Sequence, residues 1–223
     1  MSVRDYLTGG SHVLISGATG AGDAYGGKSV LANWWVERSV ATGWSDLGLV
    51  YNPKGLGYVR GRTVRSLEEL AERYRAGDRL FDFRPPSTYG AEEHTPVVET
   101  LRQLPGSKII AHDEAQAYKD SEGLSWSLAQ GGNMDNSAEP TDSIRSLVVT
   151  QRPWNLSEEL RANAPIKIWV GPATSEGARF FRSERMGSAW SEVEESTGPY
   201  RWSITDAGEF VTTAEPVPEE YAE

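Results

Sequence analysis

Residues 12–29, HVLISGATGAGDAYGGKS, decide how this chain is read. A short apolar run breaks into glycines and ends in Gly-Lys-Ser, ahead of a helical pattern. Counted from Gly22, the spacing is G-x-x-x-x-G-K-S, closed by Gly27, Lys28 and Ser29. Polyphosphate chemistry needs these residue types. Glycines let backbone N–H groups turn inward around an anion, and the helix that follows adds partial positive charge. Gly22, Gly26, Gly27, Lys28, Ser29 and Val30 are therefore the expected phosphate-binding residues, with Lys28 on the β- and γ-phosphates and Ser29 on Mg²⁺. The loop is enlarged. A compact loop would begin at Gly17 and place its lysine at Asp23, so about five residues (23–27) are inserted relative to the fixed spacing.

At 223 residues the chain can build one substantial α/β core. It is read as a single domain over 1–223, with a core of 12–182 followed by helices, a hairpin and an acidic tail over 183–223. No run approaches the roughly 18 apolar residues of a membrane span, and the N-terminus lacks a charged-then-apolar leader, which predicts a soluble intracellular protein. There is no cysteine, so disulfides, thiolate zinc sites and cysteine nucleophiles are excluded. Net charge is −10. Lysine occurs only at Lys28, Lys54, Lys108, Lys119 and Lys167. Acid excess with few lysines suits a halophilic protein as well as an ordinary acidic one. In a high-salt cytoplasm a Debye length of about 3 Å would leave net charge uninformative about partners.

Apolar runs at 12–16, 47–51, 79–83, 108–112, 147–150 and 166–170 read as buried strands. Helical patterns lie between them. Trp34 and Trp35 share a face of the helix that starts at Lys28 and are read as core. Ser66-Leu67-Glu68-Glu69 is a capping box, and Pro96 suits a first helical turn. Residues 119–142 read as part helix and part loop. Two helices are expected at 175–186 and 188–195. Tyr200, Trp202 and Ile204 alternate ahead of an Asp206-Ala207-Gly208 turn, which predicts a C-terminal hairpin. Strands alternating with helices imply a mainly parallel sheet covered on both faces, with ligands at the carboxyl ends of its strands.

Two further strands end in chemistry. Residues 108–116, KIIAHDEAQ, deliver adjacent carboxylates at a strand's carboxyl end, some eighty residues beyond the phosphate loop, as a Walker B element does. Asp113 would orient Mg²⁺, and Glu114 would align and polarise the attacking water. Residues 146–153, SLVVTQRP, place Gln151 at another strand end, where it could touch the γ-phosphate or that water.

Together with the Asp113-Glu114-Ala115-Gln116 run, Asn163 downstream and the β-α order, the Thr150-Gln-Arg-Pro153 strand end resembles the FtsK–HerA superfamily of DNA-pumping P-loop ATPases over roughly residues 12–182. The resemblance implies a RecA-like core, a hexameric ring, double-stranded DNA in its channel, and ATP with Mg²⁺ as cofactors. It implies phosphate and metal roles for Lys28 and Ser29, a Walker B role for Asp113 and Glu114, and a sensor role for Gln151. It also implies that Arg145, just ahead of 147–150, is an arginine finger acting on a neighbouring subunit, with Arg152 and Arg161 as rivals. A bare motor of this size is most similar to the genome-packaging ATPases of membrane-containing viruses, including those of haloarchaea. That likeness implies a capsid or membrane-vertex partner and a place in the host cytoplasm or on the virion. A HerA-like or plasmid-transfer ATPase and a P-loop kinase are the alternatives. A non-catalytic switch would not need the Asp113-Glu114 pair.

His12, His94 and His112 lack metal-ligand spacing with acids, and His112 reads as a strand residue beside the site. Lys54, Arg60, Arg62 and Arg65 form the basic cluster, either a DNA-facing loop or a solvated or subunit-contact loop. Residues 119–142 are an equally good channel loop.

Overall fold

The computed structural model describes residues 3–17, 27–55, 60–87, 91–131 and 143–215. Nine strands form one sheet in the order β3-β4-β2-β5-β6-β1-β7-β8-β9. They are β1 (Val13–Gly17), β2 (Leu47–Tyr51), β3 (Arg62–Val64), β4 (Leu80–Phe83), β5 (Lys108–His112), β6 (Ile144–Val149), β7 (Ile166–Val170), β8 (Trp202–Asp206) and β9 (Glu209–Ala214). From β3 to β7 every neighbouring pair is parallel; β8 and β9 run antiparallel.

Side-chain alternation divides the core into two layers. Val13 and Ile15 of β1, Ile109 of β5 and Leu147 and Val149 of β6 face one cluster, together with Tyr6 and Leu7 of α1 (Val3–Thr8) and Leu31, Trp34 and Trp35 of α2 (Lys28–Ala41). Leu14, Ile110 and Val148 face the other, beneath α3 (Leu67–Arg75), α4 (Ala91–Gln103), α5 (Glu122–Ala129), α6 (Glu158–Ala162), α7 (Ser175–Ser183) and α8 (Gly187–Ser196). Trp34 and Trp35 are core, as read, and the Trp35 indole also donates to the Leu7 carbonyl.

Local signals act where the sequence placed them. Ser66 accepts from the Glu69 amide at 3.2 Å while Glu69 accepts from the Arg65 amide at 2.8 Å, capping α3 from both sides. Ala207 and Gly208 both take positive φ in the two-residue β8–β9 turn, the geometry that matches strand twist.

Three boundaries differ from expectation. Pro96 lies inside α4, five residues beyond its start, where its missing N–H forfeits only one bond near the helix's beginning. The segment ahead of α3 contains β3, a three-residue edge strand with Arg62 and Thr63 exposed. Strand β6 starts at Ile144 instead of Leu147, so Arg145 lies within the strand.

Candidate active site

The strand order builds the site. Strand β6 lies between β1, which leads into the phosphate loop, and β5, which carries the acids. The carboxyl ends of all three, with that of β2, converge on one region. Gly17 must be glycine there, because a Cβ would stand 2.2 Å from the Val170 carbonyl oxygen of β7.

Lys28 and Ser29 open α2. Lys28 is buried, with its ammonium 3.4 Å from the Gly17 carbonyl. Burial lowers its pKa, and the Glu114 and Asp113 carboxylates oppose that shift. Ser29 Oγ donates to Asp113 Oδ1 at 3.0 Å, across 84 residues of sequence. Hydroxyl and carboxylate oxygens so placed are hard donors that fit Mg²⁺. Asp113 is 9% exposed; burial, and then Glu114, raise its pKa to about 6, against the Ser29 hydrogen bond. The Asp113 amide donates to the Tyr51 carbonyl, and the Tyr118 hydroxyl donates to the Asp113 carbonyl at 2.7 Å, so its backbone is held from two sides.

Glu114 stands in the left-handed region at φ 54°, ψ 39°. For a side-chain-bearing residue that costs about 1–2 kcal/mol. Three groups hold its carboxylate. Gln151 Nε2 donates to Oε1 at 2.9 Å, Lys54 Nζ donates to the same oxygen at 2.6 Å, and Gln116 Nε2 donates to Oε2. Gln116 in turn accepts from Thr150 Oγ1 at 2.6 Å, so the ends of β5 and β6 are tied together.

Lys28, Ser29, Asp113, Glu114 and Gln151 are thus brought together. Gly27 precedes α2 and Val30 lies in its first turn, whereas Gly22 and Gly26, with most of the enlarged loop, lie outside the described residues. Gln151 reaches the Glu114 carboxylate. Lys54 was read as part of a basic cluster, and the sheet divides that cluster. Lys54, just beyond β2, goes to Glu114; Arg60, before β3, and Arg62, its first residue, lie 3.5 Å from Glu37 and Asp78 respectively. The signal for Lys54 was its position three residues past a parallel strand, where ligands bind.

Arg145 does not stand ready for a neighbour. Arg145 is 8% exposed, and its guanidinium stacks over Trp35 at 4.9 Å and donates to the carbonyls of Ser11, Leu7 and Tyr6 at 2.9, 2.6 and 2.5 Å. Burial lowers its pKa to about 10. Its donors are spent on ending α1, which corrects the expectation of an arginine finger there. Of its rivals, Arg161 is tied to Glu184 at 2.8 Å, and Arg152 is exposed directly after Gln151.

The histidines form a buried seam. His94 Nε2 and His112 Nδ1 are 2.9 Å apart, Ser121 caps His94 at 2.7 Å, and His12 accepts from the Ser146 amide. Burial lowers the pKa of His94 to about 3 and of His12 to about 4, holding both neutral. Among the described residues no group of three or more histidine or acidic side chains is placed to hold a metal, and no helix is long and apolar enough to cross a membrane.

No family model and no curated protein matches the sequence. Solved structures do match. The genome packaging NTPase B204 of Sulfolobus turreted icosahedral virus 2, in complex with AMPPCP, is similar at 14% identity and a TM-score of 0.68, over 94% of this chain and 99% of that one. B204 of Sulfolobus turreted icosahedral virus, described as a DNA-packaging ATPase, gives 14% and 0.66 over 94% and 99%. EssC ATPases 2 and 3 of Geobacillus thermodenitrificans give 13% and 0.51, over 95% of this chain and 40% of that one. The fold is that of a RecA-like P-loop NTPase, with a C-terminal antiparallel hairpin.

Proposed function

We propose that this chain is an ATP-hydrolysing, double-stranded DNA translocase of the FtsK–HerA kind that packages a viral genome. One observation carries the reading: Ser29 on Asp113 at 3.0 Å and Gln151 on Glu114 at 2.9 Å meet at the ends of adjacent strands in the order β5-β6-β1. Likeness of fold to a packaging NTPase crystallised with ATP analogues, over nearly the full length of both chains, supports it.

On this reading Lys28 binds the β- and γ-phosphates, and Ser29 and Asp113 hold Mg²⁺, which when bound neutralises charge on the phosphates. Glu114, whose partners differ from those of Asp113, accepts a proton from the attacking water. Gln151, hydrogen-bonded to that carboxylate, reports the state of the γ-phosphate along β6. Catalysis is then positional and electrostatic. The working form is a homo-oligomer, read as a hexameric ring, docked on a capsid or membrane-vertex protein in the host cytoplasm or the virion.

The test is ATPase activity in molar KCl with and without duplex DNA. Stimulation is expected, and turnover that needs a small acceptor instead would identify a kinase. Glu114→Gln should bind ATP yet lose about 10²- to 10⁴-fold in turnover, while Lys28→Ala should weaken binding itself. If Glu114→Gln cannot bind nucleotide, the acids do not have these roles.

A further inference from the structure

Glu114 is the proposed base, yet its Oε1 already accepts from Lys54 at 2.6 Å and Gln151 at 2.9 Å, and its Oε2 from Gln116. A carboxylate whose oxygens already accept from an ammonium and two amides is a poor base, because the lone pairs that a water would need are occupied. The two partners of Oε1 differ in freedom. Gln151 continues directly from β6 and is half-buried, whereas the Lys54 side chain is 38% exposed on a connecting segment and its ammonium sits on a flexible four-carbon stem. Glu114 is itself fixed by its turn and two amides. What can leave is the lysine.

A destination lies in the same site. Lys28 feels both carboxylates and the Lys54 ammonium, so two lysines face two acids across one small region. With Lys28 and Lys54 against Asp113 and Glu114, these four charges balance. A magnesium-bound triphosphate brings net negative charge into this balanced set, and the only one of the two ammoniums with solvent-side freedom is Lys54.

We propose that Lys54 is a second phosphate-facing lysine of this site, parked on Glu114 until a γ-phosphate draws it away and so releases the carboxylate to water. The inference rests on the ATPase reading and adds to it a device that withholds the base while no γ-phosphate is present. It makes Lys54 both a binding contact and a positioning residue, and it selects for triphosphate over diphosphate.

Equilibrium binding of AMPPCP and of ADP, each with Mg²⁺, tests it without reference to turnover. Lys54→Ala, at a half-exposed position, should keep the wild-type melting temperature. It should lose about tenfold or more in AMPPCP affinity, the size of a charge-assisted contact, and less than about threefold for ADP. Lys54→Arg, which keeps the cation, should restore most of the preference. Glu114→Gln should bind AMPPCP more tightly than wild type, since the lysine is no longer held, and that gain should vanish when Lys54→Ala is added. Equal losses for the two nucleotides, no loss at all, or a Glu114→Gln gain that survives Lys54→Ala would each overturn the assignment. Wild-type chain that binds neither nucleotide would overturn the ATPase reading first, and this one with it.

Discussion

Asp113 carries a cost that pH can expose. Its ordinary pKa is 3.8, and burial followed by the neighbouring Glu114 raises it to about 6 in the folded chain. A carboxyl raised on folding stabilises the fold when protonated, so its contribution is full below pH 3.8 and is lost as pH rises through about 6. The melting temperature of wild type relative to Asp113→Asn should therefore climb as nucleotide-free protein is taken from pH 7 towards pH 4. Binding should move the opposite way. Protonation removes the charge expected to hold the metal, so affinity for Mg²⁺-AMPPCP should fall as pH drops through about 6, and Asp113→Asn should be weak and flat across the same range. Calorimetry or fluorescence titration at three pH values decides this, and a flat wild-type profile would mean that Asp113 is not the ligand.

Strand β6 shows what an element can hide. Gln151, two residues past its end, meets the acids, and Arg145, the second residue of the strand, is clamped near the opposite end on the carbonyls of α1 and the turn after it. Arg145→Met would leave three carbonyls without that charged donor, at about 1.5–3 kcal/mol for the bonds to the charge. For a chain of this length that is a fall of about 3–12 °C in melting temperature. Amides of residues 3–11 should exchange faster, while nucleotide affinity changes little. Loss of activity without loss of stability would restore a functional role. The boundary of β6 was illegible because Arg145 and Ser146 look like solvent-facing residues, and only the fold reveals a carbonyl cluster and a histidine seam to receive them. By contrast, the edges of β2, β5 and β7 were legible to the residue, since short, mostly apolar runs between turns have one buried reading. The same limit applies to the site. Residues adjacent in sequence, such as Lys28-Ser29 and Asp113-Glu114, declare themselves by motif. Lys54, 60 residues from Glu114, declares itself only once β2 is seen beside β5.

Across the whole molecule, the residues proposed to bind nucleotide lie at the carboxyl ends of the strands, while arginines gather at the other end of one edge. Arg60, Arg62, Arg73 and Arg79 line a cleft at the amino ends of β3 and β4, with Glu69 and Asp78 among them. If duplex phosphates bind there, Arg62→Ala with Arg73→Ala should weaken DNA binding for every sequence. The pair should also flatten its salt dependence by about one unit of slope per lost contact. An unchanged slope would move the DNA surface elsewhere, residues 119–142 being the next to test. The separation of partners along the chain has a consequence of a different kind. Ser29 and Asp113 are 84 residues apart, and Gln151 and Glu114 are 37 apart, so no local segment holds the site and it vanishes whenever the sheet opens. Ligand occupancy and folding are then a single linked equilibrium. Nucleotide at a hundred times its Kd would add about 2.7 kcal/mol to the folded state. The melting temperature should rise with AMPPCP concentration, and Lys28→Ala should not show the rise. If the chain is the ATPase proposed above, its fuel would also be its preservative, and protein kept without nucleotide should unfold soonest.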